Sequence, residues 1–201
     1  MSNENIYSAP VADLTDAPRL QGDADSGGLK FYVVAPYKFI LLYVCTLGFY
    51  KIYWFYKNWS RYKAYVKSYA DADMWPVMRA IFSIFFVHAL FRNVDETIND
   101  EPRKFSWSPS VLATLYVIFQ LIITAIDRLP KTSFENIAIG VELALMVPII
   151  GFVLFTAQRA INAACGDPKG ESNNKLSVAN WLWIVLGGIC LALAVVGIVY
   201  T

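Results

Sequence analysis

Residues 48–71 read GFYKIYWFYKNWSRYKAYVKSYAD, with ten aromatic residues and five Lys or Arg ahead of the first carboxylate at Asp71. Rings interleaved with bases suit two environments. One is a nucleic acid, whose bases stack and whose phosphates need neutralising. The other is the boundary between lipid and water, where rings settle at headgroup depth and cations meet anionic phosphates. Helical projection at about 100° per residue separates the two. Ile52, Phe55, Trp59, Tyr62, Val66 and Tyr69 share one face, Lys57 and Arg61 take the opposite one, and Lys63 and Lys67 flank the aromatic stripe. A nucleic-acid surface needs rings and bases together on one face, so no nucleic-acid partner is expected. An in-plane helix on a membrane fits the separation, and so does a stripe packed against another helix of the same chain.

The surrounding composition favours a membrane. Over 201 residues, 57% are hydrophobic and only 16% are charged, and mean hydropathy is +0.44, which leaves too little polar surface for a soluble domain of this size. The net charge of +1 conceals segregation. Five acids (Glu4, Asp13, Asp16, Asp23, Asp25) face only Arg19 in the first 25 residues, whereas residues 26–70 hold seven bases and no acid. Residues 1–30 are polar, rich in Pro and Gly and lack an apolar core, the pattern of a disordered tail rather than a signal peptide. The remainder, 31–201, is expected to form a single helical membrane domain.

A spanning helix needs about 20 mostly apolar residues. Residues 108–126 and 180–200 carry no charge, and 137–157 carry only Glu142. Ser108-Pro109 and Asn180 are capping signals for the first and last of these. Two further apolar stretches are less regular. Residues 31–56 include Pro36, Lys38, Thr46-Leu47-Gly48 and Lys51, and 77–91 are short for a span, with Arg79 and His88 near their ends. Lys and Arg accumulate in cytoplasmic loops. If 31–56 bends near Gly48 and returns to its own face, and 77–91 only dips into that face, then 15 of the 17 Lys and Arg are cytoplasmic and only Arg128 and Lys131 are outside. The expected fold class is therefore all-α: a polytopic helical membrane protein with three spans and an N-terminal re-entrant or interfacial helical region, its N-terminus cytoplasmic. Four or five complete spans are the competing arrangement.

Several polar residues lie at membrane depth. Glu142 is a candidate ion or proton site, because carboxylates within spans are costly, and pairing with Arg128 or Lys131 is the structural alternative. Pro148 opens its helix and marks a kink. Arg79, after Trp75-Pro76, is a candidate for lipid phosphate. His88 is the sole histidine, and it heads a polar stripe continued by Arg92 and Asn99; no zinc spacing, catalytic triad or phosphate-binding glycine loop accompanies it. Cys45, Cys165 and Cys190 are dispersed, so no disulfide framework, metal or cofactor is implied. Gln158, Arg159 and Asn162 read as the polar end of the 137–157 segment, and Gly188 with Ala192 as a spacing that permits close helix approach.

Lys38-Phe39 followed by Gly48-Phe49-Tyr50-x-x-Tyr53-Trp54-Phe55-Tyr56-Lys57-Asn58-Trp59 resembles the opening signature of small multipass bacterial inner-membrane proteins of a domain-of-unknown-function family. The likeness is clearest over residues 31–65. It implies a bacterial inner-membrane location and carries over no activity. The expected function is non-enzymatic contact with anionic lipid, or with a partner protein or second copy, through Lys57, Arg61, Lys63, Lys67, Trp54, Trp59 and Arg79. A small transporter or channel component using Glu142 and Pro148 is the first alternative. A lipid-modifying enzyme with Arg79, His88 and Arg159 around a headgroup is the second.

Overall fold

A computed structural model describes residues 29–66, 74–99, 105–126, 128 and 147–200, the side chains of 190, 191, 194, 195 and 197–200 excepted. Most of the N-terminal tail, Lys67, and Glu142 with the first half of its segment lie outside the described residues. Within them the protein is all-helical, with seven α-helices and no strand: α1 Pro36–Cys45, α2 Tyr50–Val66, α3 Pro76–Ile81, α4 Ser83–Asn99, α5 Pro109–Ile126, α6 Val147–Ala164 and α7 Val178–Tyr200.

The 31–56 stretch divides into three parts. Phe31–Ala35 is extended and wholly buried. Val33 and Val34 are β-branched, and Ala35 precedes a proline, which disfavours the helical region and leaves Ala35 at φ −59°, ψ 136°. Pro36 then opens α1, where its missing N–H costs nothing. The bend expected near Gly48 is a Schellman turn. The Gly48 N–H donates to the Tyr43 carbonyl (2.9 Å) and the Leu47 N–H to the Val44 carbonyl (3.0 Å). Leu47 (φ 50°) and Gly48 (φ 83°) both take left-handed backbone, so the chain reverses within Thr46–Phe49. Thr46 ties the two helices, its hydroxyl donating to the Leu42 carbonyl (2.7 Å) and accepting the Tyr50 N–H (2.9 Å).

The reversal brings the second half of α2 back beside residues 31–35. The Tyr32 N–H donates to Asn58 Oδ1 at 3.1 Å. With ten residues, α1 is about 15 Å long, half the thickness of a bilayer's hydrocarbon core. The face of α2 that turns inward buries Tyr50, Trp54, Phe55, Asn58 and Trp59, so it includes Phe55 and Trp59 of the projected stripe but leaves Ile52 exposed. Two Trp and a Phe of this helix therefore pack against the bundle, while Ile52, Tyr53 and Tyr56 stay exposed.

Residues 77–91 do not form one helix. A break at Phe82 (φ −95°, ψ 38°) divides α3 from α4, which continues to Asn99. Helix α4 runs antiparallel to α5, as Ser83 Oγ to Tyr116 Oη (2.7 Å), His88 Nε2 to Thr114 Oγ1 (3.2 Å) and Trp107 Nε1 to Asp95 Oδ1 (2.8 Å) fix the register. Helices α5 and α6 are each 18 residues long and apolar enough to cross a membrane by length and composition. They differ in what they bury. Nine residues of α6 are buried, against only Ala113 and Tyr116 of α5.

The C-terminal α7 spans 23 residues without a charged side chain and begins with a capping box. Ser177 Oγ accepts the Asn180 N–H (3.3 Å) and Asn180 Oδ1 accepts the Ser177 N–H (3.0 Å), so Ser177 is the cap and Asn180 its reciprocal partner. The helix docks on the end of α1 through Gly187, where a Cβ would lie 1.9 Å from the Cys45 carbonyl oxygen. Gly188, the glycine expected to allow close approach, has nothing within 4 Å of its Cβ position. The rotation of α7 selects the preceding residue.

Candidate functional site

The interior of the bundle is organised by side-chain amides. Asn162 on α6 treats Val34 as a strand neighbour would, its Oδ1 accepting the Val34 N–H (3.2 Å) and its Nδ2 donating to the Val34 carbonyl (2.9 Å). One turn earlier, Gln158 Nε2 donates to the Tyr32 carbonyl (3.1 Å) and to Asn162 Oδ1 (2.7 Å), while its Oε1 accepts Trp54 Nε1–H. Asn173, in the short 3₁₀ turn Glu171–Asn173, donates to the Val33 carbonyl at 2.8 Å. Gln158, Asn162 and Asn58 are fully buried. An extended segment inside a helical bundle has no sheet to satisfy its backbone, and each unpaired group would cost on the order of 1–3 kcal/mol. These amides supply the missing partners. Gln158 and Asn162 are thus core residues, not a helix end meeting water. Their i, i+4 spacing in line with Leu154, Ala157 and Ile161 was the available signal.

The same amides anchor a basic pocket on the face where residues 29–35, the second half of α2 and the α6–α7 loop meet. It measures about 880 Å³ and is lined by Lys38, Lys57, Arg61 and Lys175, with Glu171 as the single acid among its lining residues. Tyr53, Lys57 and Arg61 fall four apart on α2 and make a row above Tyr32. Lys57 Nζ is 5.9 Å and Arg61 Cζ 5.5 Å from the Tyr32 ring centre, and Lys57 lies 5.8 Å from that of Tyr53. Among the described residues the ion pairs are Arg92 with Glu96 (3.8 Å) and Lys169 with Glu171 (3.7 Å), so no described carboxylate neutralises Lys57 or Arg61.

Lys38 is the least expected member. Only 3% exposed, its ammonium donates to Asn173 Oδ1 and to the Lys175 carbonyl, both at 2.7 Å. Both acceptors are neutral, and a third N–H is left over. Burial pushes the Lys38 pKa down from its ordinary value. The loop carrying Asn173 is braced by Asp167. Partial burial pushes that carboxyl up, but N–H donors from Ser172 (2.8 Å) and Glu171 (2.9 Å) outweigh it and hold Asp167 below the usual carboxylate value.

The other residues singled out in the sequence have different surroundings. Lys63 Nζ donates to the Met74 carbonyl at 2.7 Å and faces away from the pocket. Arg79 stacks between Trp59 (4.4 Å) and Phe86 (5.0 Å). Trp54 and Trp59 have no exposed surface and belong to the core of the bundle. Arg159 lies over Phe105 at 5.8 Å, and His88 bonds to Thr114, so Arg79, His88 and Arg159 each have their own neighbours. Pro148 occupies the second position of α6. Among the described residues no three His, Cys, Asp or Glu come together in a way that could hold a metal ion.

Comparison with protein-family models, with curated proteins and with solved structures finds no match. What the pocket can bind follows from its own charge and shape.

Proposed function

We propose that the chain is a non-enzymatic integral membrane protein of the bacterial inner membrane, with α5, α6 and α7 as spans, the α1–α2 hairpin entering and leaving by the cytoplasmic face, and the basic pocket of that face holding anionic phospholipid headgroups. The N-terminus is cytoplasmic in this reading. The observation that carries it is the pocket's charge: among the described residues Lys38, Lys57 and Arg61, the first of them buried, have neutral partners or aromatic rings where counterions would ordinarily be. A buried ammonium without an anion is unfavourable, and a phosphate diester would complete it.

The membrane part of the reading rests on exposed apolar surface. Val111, Leu115, Ile118, Leu121 and Ile122 of α5 and Trp181, Leu182, Val185, Leu186 and Ile189 of α7 point outward, so each helix carries a run of exposed large apolar side chains rather than isolated ones. The hairpin's half-bilayer length and its turn at Thr46–Phe49, with Phe49 70% exposed, suit a re-entrant loop covered by spans.

The pocket is tested with the full chain in dodecyl maltoside micelles doped with equal phosphatidylglycerol and phosphatidylcholine of one chain length, counting retained lipids by native mass spectrometry. Each base near an anionic headgroup is worth on the order of 1 kcal/mol, so K57Q/R61Q is expected to lower the preference for phosphatidylglycerol about thirtyfold. An unchanged preference in the double variant would sink the headgroup reading.

A further inference from the structure

Below the basic pocket lies an apolar groove of about 570 Å³ between α1, α2, α3 and α7, within the range of ligand-holding cavities. The two cavities share Tyr53, Ser177 and Asn180, so they adjoin at these residues. Their linings change in order along two helices. On α2 the series runs Arg61 and Lys57, then Tyr56 and Tyr53, then Ile52 and Phe49; on α7 it runs Ser177 and Asn180, then Trp183. The order is charged, then amphipathic, then apolar. It follows depth, because α2 descends toward the hairpin turn and α7 descends toward Gly187, which touches that turn at Cys45 and Thr46.

Resting on the headgroup reading above, we propose that pocket and groove are two halves of one slot that holds a single anionic glycerophospholipid, its phosphate against Lys57 and Arg61 and one acyl chain laid along Ile52, Phe49 and Trp183 toward the hairpin turn. Charge complementarity specifies the head. A free phosphate would leave the groove unfilled, and a neutral lipid would leave the cations unmatched. Tyr53 stands at the junction, where a ring with a polar tip suits the ester level of a lipid. The groove wall is built from the flank of α2 that the core does not use: Ile52, Tyr53 and Tyr56 are 42%, 43% and 39% exposed, whereas Trp54 and Phe55 between them are buried. This division gives the buried rings of the segment to the core and the exposed Tyr53 and Tyr56 to the slot.

The experiment keeps the micelle assay and fills the groove without touching the cations. Ala179 lines the groove and is exposed, so A179W places an indole where the acyl chain would lie. I81W, from the α3 wall, does the same from the other side, and L193W on the exposed surface of α7 is the control. Returning even two acyl methylenes to water weakens binding on the order of tenfold, so A179W and I81W are expected to lose the last, most firmly retained phosphatidylglycerol by about that factor. L193W should retain it as the native chain does, and all three variants should keep the native unfolding temperature. Should A179W misfold, I81W carries the test. Retention by both groove variants equal to that of L193W would overturn the slot and leave the headgroup reading standing. Lipid loss in the groove variants together with an unchanged phosphatidylglycerol preference in K57Q/R61Q would overturn both.

Discussion

Replacing Asn162 with Ala is expected to be the most damaging single truncation in the bundle, lowering stability by about 3–5 kcal/mol. Among the described residues Asn162 is the hydrogen-bond partner of both the N–H and the carbonyl of Val34, and its Oδ1 also accepts from Gln158. Removing it leaves three buried polar groups short of a partner, each costing on the order of 1–3 kcal/mol, with partial relief from relaxation. Folded proteins hold only about 5–15 kcal/mol in total, so the loss is a large share. At about 2–4 °C per kcal/mol for a chain of this size, the unfolding midpoint of the detergent-solubilised protein should fall by about 10 °C. The neighbouring R159A, which removes an exposed cation above Phe105, should shift it by less than about 2 °C on the ordinary scale of surface changes. Equal midpoints for N162A and R159A would mean that residues 31–35 are not held as described.

The second large effect is expected at Gly187. Adding one methyl there places a carbon 1.9 Å from the Cys45 carbonyl oxygen and 2.7 Å from its carbonyl carbon. The obstacle is backbone, so no rotamer change relieves it, and α7 must move away from α1. Overpacking of this kind costs at least about 1–3 kcal/mol, and here the whole α1–α7 packing is forfeited. Thiol labelling reads the result directly. Cys45 is half-buried beside the docking point, and in C165S/C190S the G187A substitution should speed its reaction with a maleimide about tenfold, the factor that 1.4 kcal/mol of easier opening supplies. G188A is the matched control. With nothing within 4 Å of its Cβ position, it should leave labelling unchanged and gain up to about 1 kcal/mol of helix propensity. If the two glycines respond alike, α7 is docked in some other rotation.

How much of this was legible in the sequence depended on whether the cause was local. The break at Thr46–Gly48 was readable because turn chemistry is written in adjacent residues, and the start of α5 at Pro109 for the same reason. Even the extended conformation of residues 31–35 had a local sign, two β-branched valines and a residue held out of the helical region by Pro36. Its purpose did not. The partners of Val34 and of the Tyr32 carbonyl lie more than 120 positions away on α6, and an Asn at the end of an apolar run reads equally as a helix meeting water. The rings of α2 posed a similar problem. Helical spacing showed that a stripe existed, but whether it met lipid or protein depended on which neighbours the hairpin brought back to it. Lys38 was hidden for a further reason: a lysine near the start of an apolar segment looks like an obstacle to burial until the Asn173 loop that receives it is folded against it.

The proposed headgroup pocket and lipid slot both require that the chain enter and leave by one face through the hairpin. Cysteine labelling tests this most directly, with Ser60, Asn174 and Arg128 each replaced by Cys in a variant whose three native cysteines are Ser. Ser60 and Asn174 should react with a membrane-impermeant maleimide only when the cytoplasmic face is exposed, and Arg128 only from outside. Labelling of Ser60 from the side that labels Arg128 would contradict the hairpin, and with it the shared face on which the basic pocket is built.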